Sequence, residues 1–196
     1  LHLANTTSKA RTMSVNIVNY IDKRREQVKR ITDEATNFID SDISVTENNS
    51  IVIYNENWHK GVIGIVASRL TEKYYRPAVV LTKSNDLITG SARSVMGFDV
   101  YKAIESCKDI LENFGGHTYA AGLSLKEENL DEFRRRFEAL TIKLIAPEMM
   151  RPQIDIDAKL SFSDIDGKFV YDLSRFAPFG PENLNPIFVS KDVRDY

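Results

Sequence analysis

The chain has 196 residues, 42% hydrophobic and 28% charged, enough for one substantial core or for one domain and a small second piece. A formal net charge of −2 leaves no global basic footprint, so nucleic-acid binding would have to come from local patches. The longest apolar runs, such as Val79-Val80-Leu81, are far too short to cross a membrane, a single Cys107 can form no internal disulfide, and residues 1–20 hold no apolar signal stretch, so a cytoplasmic protein is predicted.

Residues 1–13 are small and polar and are expected to be loosely ordered; the opening Leu1 predicts a piece of a longer protein. A helix is predicted over 14–39, where Val15, Val18, Ile21, Val28, Ile31, Ala35, Phe38 and Ile39 approximate a helical stripe. Lys23, Arg24, Arg25, Lys29 and Arg30 fall on the other face, which leaves two readings open, a solvated face and a contact to a nucleic-acid backbone. Residues 50–54 read as a buried strand and 61–75 as a helix with Val62, Ile65, Val66 and Leu70 on one side, stopped by Pro77. The next strand is 78–82, and this spacing predicts a crossover unit with a parallel pair. Another strand is expected over 88–93, and Asp99 caps a helix running to Leu111. A strand starts in 121–125, and 127–146 forms an amphipathic helix with Leu130, Phe133, Phe137, Leu140 and Leu144 on one face. After Pro147, residues 154–160 alternate like a half-exposed strand, and 177–186 form a proline-rich loop leading into 187–189, like the start of a domain cut short.

Three segments carry candidate chemistry. In Gly115-Gly116-His117 a glycine pair lets a ligand approach the main chain, free N–H groups of a turn can cradle an anion, and the histidine adds a donor or a charge that switches near neutral pH. The other reading of that segment is a tight turn with a surface histidine. Trp58-His59-Lys60-Gly61 lies between a strand and a helix, where helix N–H groups favour an anion; a solvated connection with a packing tryptophan is the alternative. Ser91-Ala92-Arg93-Ser94 ends a strand, and Ser91 and Arg93 share a face suited to a phosphate; an exposed strand end is the alternative. The acidic pairs Asp155/Asp157 and Asp164/Asp166 lack the further ligands of a metal site, and no Asp-His-His, Walker or dinucleotide motif is present, so the chain combines anion-binding groups without a catalytic centre.

Taken together, Trp58 to Leu70, Arg76 to Leu81, Gly90 to Ser94 and Phe114 to Gly122 resemble, in order and spacing, the accessory domain of the DHH phosphoesterase superfamily, most closely that of RecJ-type single-strand-specific exonucleases. Pro178 to Asn183, followed by Pro186-Ile187-Phe188, resembles the entry to the OB-type domain of that family, and the basic helix resembles its interdomain connector. The resemblance implies an α/β fold, a mixed sheet flanked by helices, with a connector at 1–43, a nucleic-acid-binding domain at 44–147 and a truncated OB-type start at 148–196. It implies a role in DNA repair and recombination, with single-stranded DNA and an N-terminal DHH domain of the same protein as partners and no membrane. That domain would hold two divalent metals, Mn2+ or Mg2+, for 5′→3′ phosphodiester hydrolysis; no metal is expected in this chain, which alone should be inactive. By resemblance Gly115, Gly116 and His117 would face the scissile phosphate, Ser91, Arg93 and Ser94 would hold a substrate phosphate, with the 5′-terminal one as the candidate, and His59 would line the same cleft. Two alternatives stay open: a DHH-family phosphodiesterase of oligonucleotides or cyclic dinucleotides, and a non-catalytic RNA-binding or structural module.

Overall fold

The structure, a computed structural model, describes residues 6–180 and 182–194, with the backbone alone at Ser8 and Ser44. It divides into two compact units between Arg151 and Pro152.

The first unit opens with α1 (Thr7–Ser41), earlier than expected. The Thr6 hydroxyl accepts from the Lys9 N–H at 3.2 Å, and no glycine or proline interrupts the turns that follow, so the polar segment 7–13 propagates as helix instead of staying loose. Residues 1–5, in the same expectation, lie outside the described residues. The C-terminal half of α1 buries Val28, Ile31, Ala35 and Ile39, whereas Val15, Ile17, Val18 and Ile21 are 45–54% exposed.

A short helix, α2 (Ile43–Glu47), leads to β1 (Ile51–Tyr54). The crossover is as expected: α3 (Ile63–Tyr74) ends on a left-handed Tyr75, and β2 (Ala78–Ser84) runs parallel to β1. β3 (Leu87–Arg93) returns antiparallel to β2. Asp99 caps α4 (Val100–Glu105) by accepting from the Lys102 N–H at 3.0 Å. That helix is shorter than expected: the Ser106 hydroxyl donates to the Lys102 carbonyl, competing with the backbone ladder, and only a 3-10 turn follows over Lys108–Ile110.

Next come β4 (Asn113–His117) and β5 (Ala120–Leu125), an antiparallel hairpin. Gly115 and Gly116 therefore lie within an extended strand and do not make the anion-cradling turn that the pair predicts. The reversal falls two residues later, between His117 and Ala120. α5 (Leu130–Leu144) closes the unit. The sheet order is β1-β2-β3-β5-β4, so β4 is an edge.

Period-2 alternation divides the core between the two sheet faces. Ile51, Ile53, Ala78 and Val80 pack with α1 and α3; Val79, Leu81, Ile88, Ala92, Leu123 and Leu125 pack with α4 and α5. Phe133 and Phe137 of α5 are fully buried, while Leu144, expected on the same face, is half exposed in the final turn. Cys107 sits in this second cluster, where burial pushes its thiol up to about 11. The arginines of α5 are tied locally: Arg136 bonds Asp109 at 2.8 Å and Glu132 at 2.6 Å, and Arg135 bonds Glu132 at 2.7 Å. Glu138 accepts from the Asn49 and Ser50 N–H groups and the Ser50 hydroxyl, anchoring the start of β1 to α5.

In the second unit β6 (Ala158–Lys159) pairs parallel with β7 (Phe188–Val189), and α6 (Gly167–Ser174) lies between them in sequence. Only two residues of the strand expected over 154–160 are paired, because Ile154 and Ile156 have no strand beside them among the described residues. The acids of this region serve structure: Asp157 accepts from the Ile187 N–H, Asp164 closes a capping box with Ser161, and Asp166 caps α6. Among the described residues no helix is long and apolar enough to cross a membrane.

Phe137→Ala should destabilise the first unit by about 3–5 kcal/mol, read by urea unfolding. The Arg135 and Arg136 hydrogen bonds lower the Glu132 carboxyl from 4.5 to about 2. A folded-state value below the unfolded one contributes stability that is complete above pH 4.5 and lost as pH falls toward about 2. Glu132→Gln should therefore flatten the acid limb of a pH series of thermal melts in that window; an unchanged limb would refute the network's role.

Candidate nucleic-acid interface

The loop after β1 is held by Trp58. Its indole is buried, Nε1 donates to Glu34 of α1 at 2.9 Å, and its carbonyl accepts from the Thr82 hydroxyl at 2.6 Å. This fixes the approach to α3, whose N-terminus carries no side-chain cap. His59 turns back over the loop, its Nδ1 accepting from the Gly61 N–H at 3.1 Å. An accepting Nδ1 leaves Nε2 as the donor of the neutral ring.

β3 supplies the second group. Ser91 and Arg93 alternate with Gly90 and the buried Ala92, so both stand on the α3 side of the sheet. The Arg93 side chain reaches back along its own strand, and Nη1 donates to Ser91 Oγ at 3.1 Å and to the Ala92 carbonyl at 2.8 Å. Burial pulls its guanidinium below the ordinary value. A pocket of about 370 Å³ opens there, between Arg24 of α1, Lys60 and Gly61 of the loop, Gly64 of α3, and Ser91 and Arg93. Among the described residues no carboxylate lines it. Three cations beside a helix N-terminus without a side-chain cap are a set of groups suited to an anion.

Strand register joins this pocket to the glycine segment. Arg93 pairs with Ala120, and Ala120 with His117; Ser91 pairs with Gly122, and Gly122 with Gly115. Cross-strand partners share a face, so Arg93 and His117 end one row, and Ser91, Gly122 and Gly115 form the next. Two strand spacings put about 10 Å between the Arg93 and His117 backbones. The floor between them is Ala120, Gly122 and Gly115, with almost no side chain. Gly115 and Gly122 are exposed, and a Cβ on Gly115 would meet nothing within 4 Å. His117 is oriented by the Tyr119 N–H, which reaches its Nδ1 at 3.4 Å. The hairpin turn is held by Ser94 N–H to the Tyr119 carbonyl and Val100 N–H to the Thr118 carbonyl.

The structure thus brings together Ser91, Arg93, Gly115 and His117 on one side of the sheet. It sets three predicted residues apart. Gly116 points to the other face, with Ala121. Ser94 spends its hydroxyl on the Phe98 carbonyl at 2.7 Å. His59 adjoins the pocket through Lys60 and Gly61 and is not among its walls. Arg24, Gly64 and Gly122 join the site without having been singled out as site residues. Arg24, expected on the face away from the apolar stripe, stands four residues before the buried Val28 and so on its side of α1; that spacing could have found it, and Gly64 could have been found as a glycine inside a helical stripe, whereas Gly122 needed the strand register. Two imidazoles, hydroxyls and guanidinium groups without a carboxylate do not fit a divalent metal, and among the described residues no group of three or more His, Cys, Asp or Glu could hold one.

Comparison with known proteins shows the family of the chain. Residues 47–143 match the DHHA1 domain, and residues 156–195 match the RecJ OB domain. The single-stranded-DNA-specific exonuclease RecJ of Bacillus subtilis is 31% identical over 188 residues, covering 95% of this chain and 24% of that protein. The Salmonella typhimurium protein of the same description is 32% identical over 150 residues, 74% of this chain and 26% of that one. The crystal structure of RecJ from Thermus thermophilus in complex with Mn2+ superposes with a TM-score of 0.83 at 23% identity, covering 96% of this chain and 27% of that one, which establishes the likeness of fold. The chain spans about a quarter of the length of the curated relatives it matches.

The two adjacent glycines should respond oppositely to substitution. A Cβ on Gly116, at φ +152, would lie 2.3 Å from the Ala120 carbonyl oxygen, so Gly116→Ala should cost about 1–3 kcal/mol of stability. Gly115→Ala should leave stability within about 0.5 kcal/mol or raise it. Thermal melts of the two variants check the contrast.

Proposed function

The chain belongs to the RecJ-type branch of the DHH family, as a DHHA1 domain followed by a RecJ OB domain, and on that premise we propose that it is the substrate-binding accessory region of a single-stranded-DNA-specific 5′→3′ exonuclease. In this proposal residues 44–147 are the nucleic-acid-binding domain, 1–43 the connector and 148–196 the start of the OB-type domain. The observation that carries it is the pair of cross-strand rows: a cationic, acid-free pocket at Ser91 and Arg93, a bare floor, and His117 on the outer strand. A sugar–phosphate backbone fits such a surface, since the floor admits close approach and the cations at one end neutralise phosphate.

Ser91 and Arg93 hold a substrate phosphate, with the 5′-terminal phosphate as the proposed occupant and Arg24 and Lys60 completing the charge around it. His117 donates from Nε2 to a neighbouring phosphate oxygen across the floor of Gly115. Gly116 and Ser94 act indirectly, the first by closing the hairpin and the second by holding the turn after β3; His59 keeps Gly61 and the start of α3 in place. The scissile chemistry belongs to an N-terminal DHH domain, the partner of this chain within the whole protein and the proposed holder of Mn2+ or Mg2+, which supply the activated water when bound. The cytoplasm and DNA repair and recombination are the proposed setting.

Binding to a 5′-phosphorylated single-stranded oligonucleotide, measured by fluorescence anisotropy across a salt series, tests the reading. Arg93→Ala should weaken binding by about 10–100-fold and reduce the slope of log K against log salt by about one. His117→Ala should weaken it by about 3–10-fold. If neither variant loses affinity, the glycine hairpin is only structural. With manganese added, this chain should release no nucleotides from the same oligonucleotide.

A further inference from the structure

Gly64 is a glycine without a backbone reason. It lies in the first turn of α3 and does not adopt the positive φ found at Gly97 and Gly116. Glycine in a helix is less stable than alanine, so its place there calls for another cause. The cause is visible in space: a Cβ at position 64 would lie 2.9 Å from Ser91 Oγ and 3.0 Å from Arg93 Nη2. We propose that Gly64 is a positioning residue of the anion pocket, the missing side chain on α3 being the seat in which the Arg93 guanidinium lies over Ser91. The inference rests on the reading that Ser91 and Arg93 take a substrate phosphate.

The geometry separates this role from ordinary packing. At Gly90 an added Cβ would strike Leu81 at 2.4 Å and press on Leu123 in the core, so that glycine serves the fold. At Gly64 the atoms in the way are the mobile ends of two polar side chains. A methyl group there leaves the contact of α3 with the sheet intact and displaces the guanidinium and the hydroxyl. Arg93 is anchored through Nη1, to Ser91 and to the Ala92 carbonyl, while Nη2 rests against Gly64. Pushing Nη2 away rotates the fork about that anchor. Arginine recognises phosphate by the direction of its paired N–H groups, so rotation costs affinity without any loss of charge.

The test compares Gly64→Ala with Ser91→Ala/Arg93→Ala, alone and combined, in the same chain with the same 5′-phosphorylated single-stranded oligonucleotide. Gly64→Ala should keep or raise the melting temperature and weaken binding about 3–10-fold, a modest share of the charge-assisted contact. In the Ser91→Ala/Arg93→Ala background it should weaken binding no further, because its effect passes through those two side chains. Wild-type affinity for Gly64→Ala, a lowered melting temperature, or a loss that adds to that of the double variant would each overturn the proposal. Wild-type affinity for Ser91→Ala/Arg93→Ala would instead overturn the phosphate reading beneath it.

Discussion

The antiparallel register of β3, β5 and β4 is the constraint on which the site depends. Arg93 opposite Ala120, and Ala120 opposite His117, put a cation and an imidazole at the two ends of one row. A slip of one residue would move each side chain to the other face of its strand and turn Arg93 toward the core of α4 and α5. Burial opposes that slip: Ala92, Leu123 and Leu125 are held on the helix-covered side. The core therefore sets the site by fixing parity. Gly116 adds a steric lock to this register, because no side chain fits between it and the Ala120–Ala121 backbone.

Charge is distributed by the same logic. The three consecutive arginines of α5 stand out in the sequence, yet Asp131, Glu132 and Asp109 engage them within the surface of their own helix and its neighbour. The cations of the pocket come from three separate places, α1, the loop after β1, and β3, with no acid beside them among the described residues. A chain of net charge −2 can thus present a local cationic surface without a basic composition. Paired arginines contribute little to attracting an anion, whereas a desolvated guanidinium without a carboxylate has its charge available to a ligand.

Much of the fold and part of the site were legible in sequence. The crossover β1–α3–β2 followed from hydrophobic period and spacing, Asp99 marked its helix start, and Ser91 and Arg93 followed from alternation along one strand. Two of the readings that failed show the reason most plainly. The glycine pair looked like a turn because glycine is common where φ is positive, but here one glycine admits a neighbouring strand and the other leaves a bare edge. The segment 154–160 alternates as a strand should, but a strand needs a neighbour, and only Ala158 and Lys159 find one among the described residues.

Sequence alone determined the types of most elements of the first unit, the motif order that carries the family resemblance, and the polar residues of the candidate site, because these depend on local spacing and side-chain chemistry. Only the tertiary structure decided that Gly115 faces the site while Gly116 faces the core side, that Arg24 joins a pocket built largely by β3 and α3, and that Gly64 leaves room for Arg93. Those facts are distances between residues far apart in the chain. They are set by strand register and helix docking, and no pattern confined to neighbouring residues contains them.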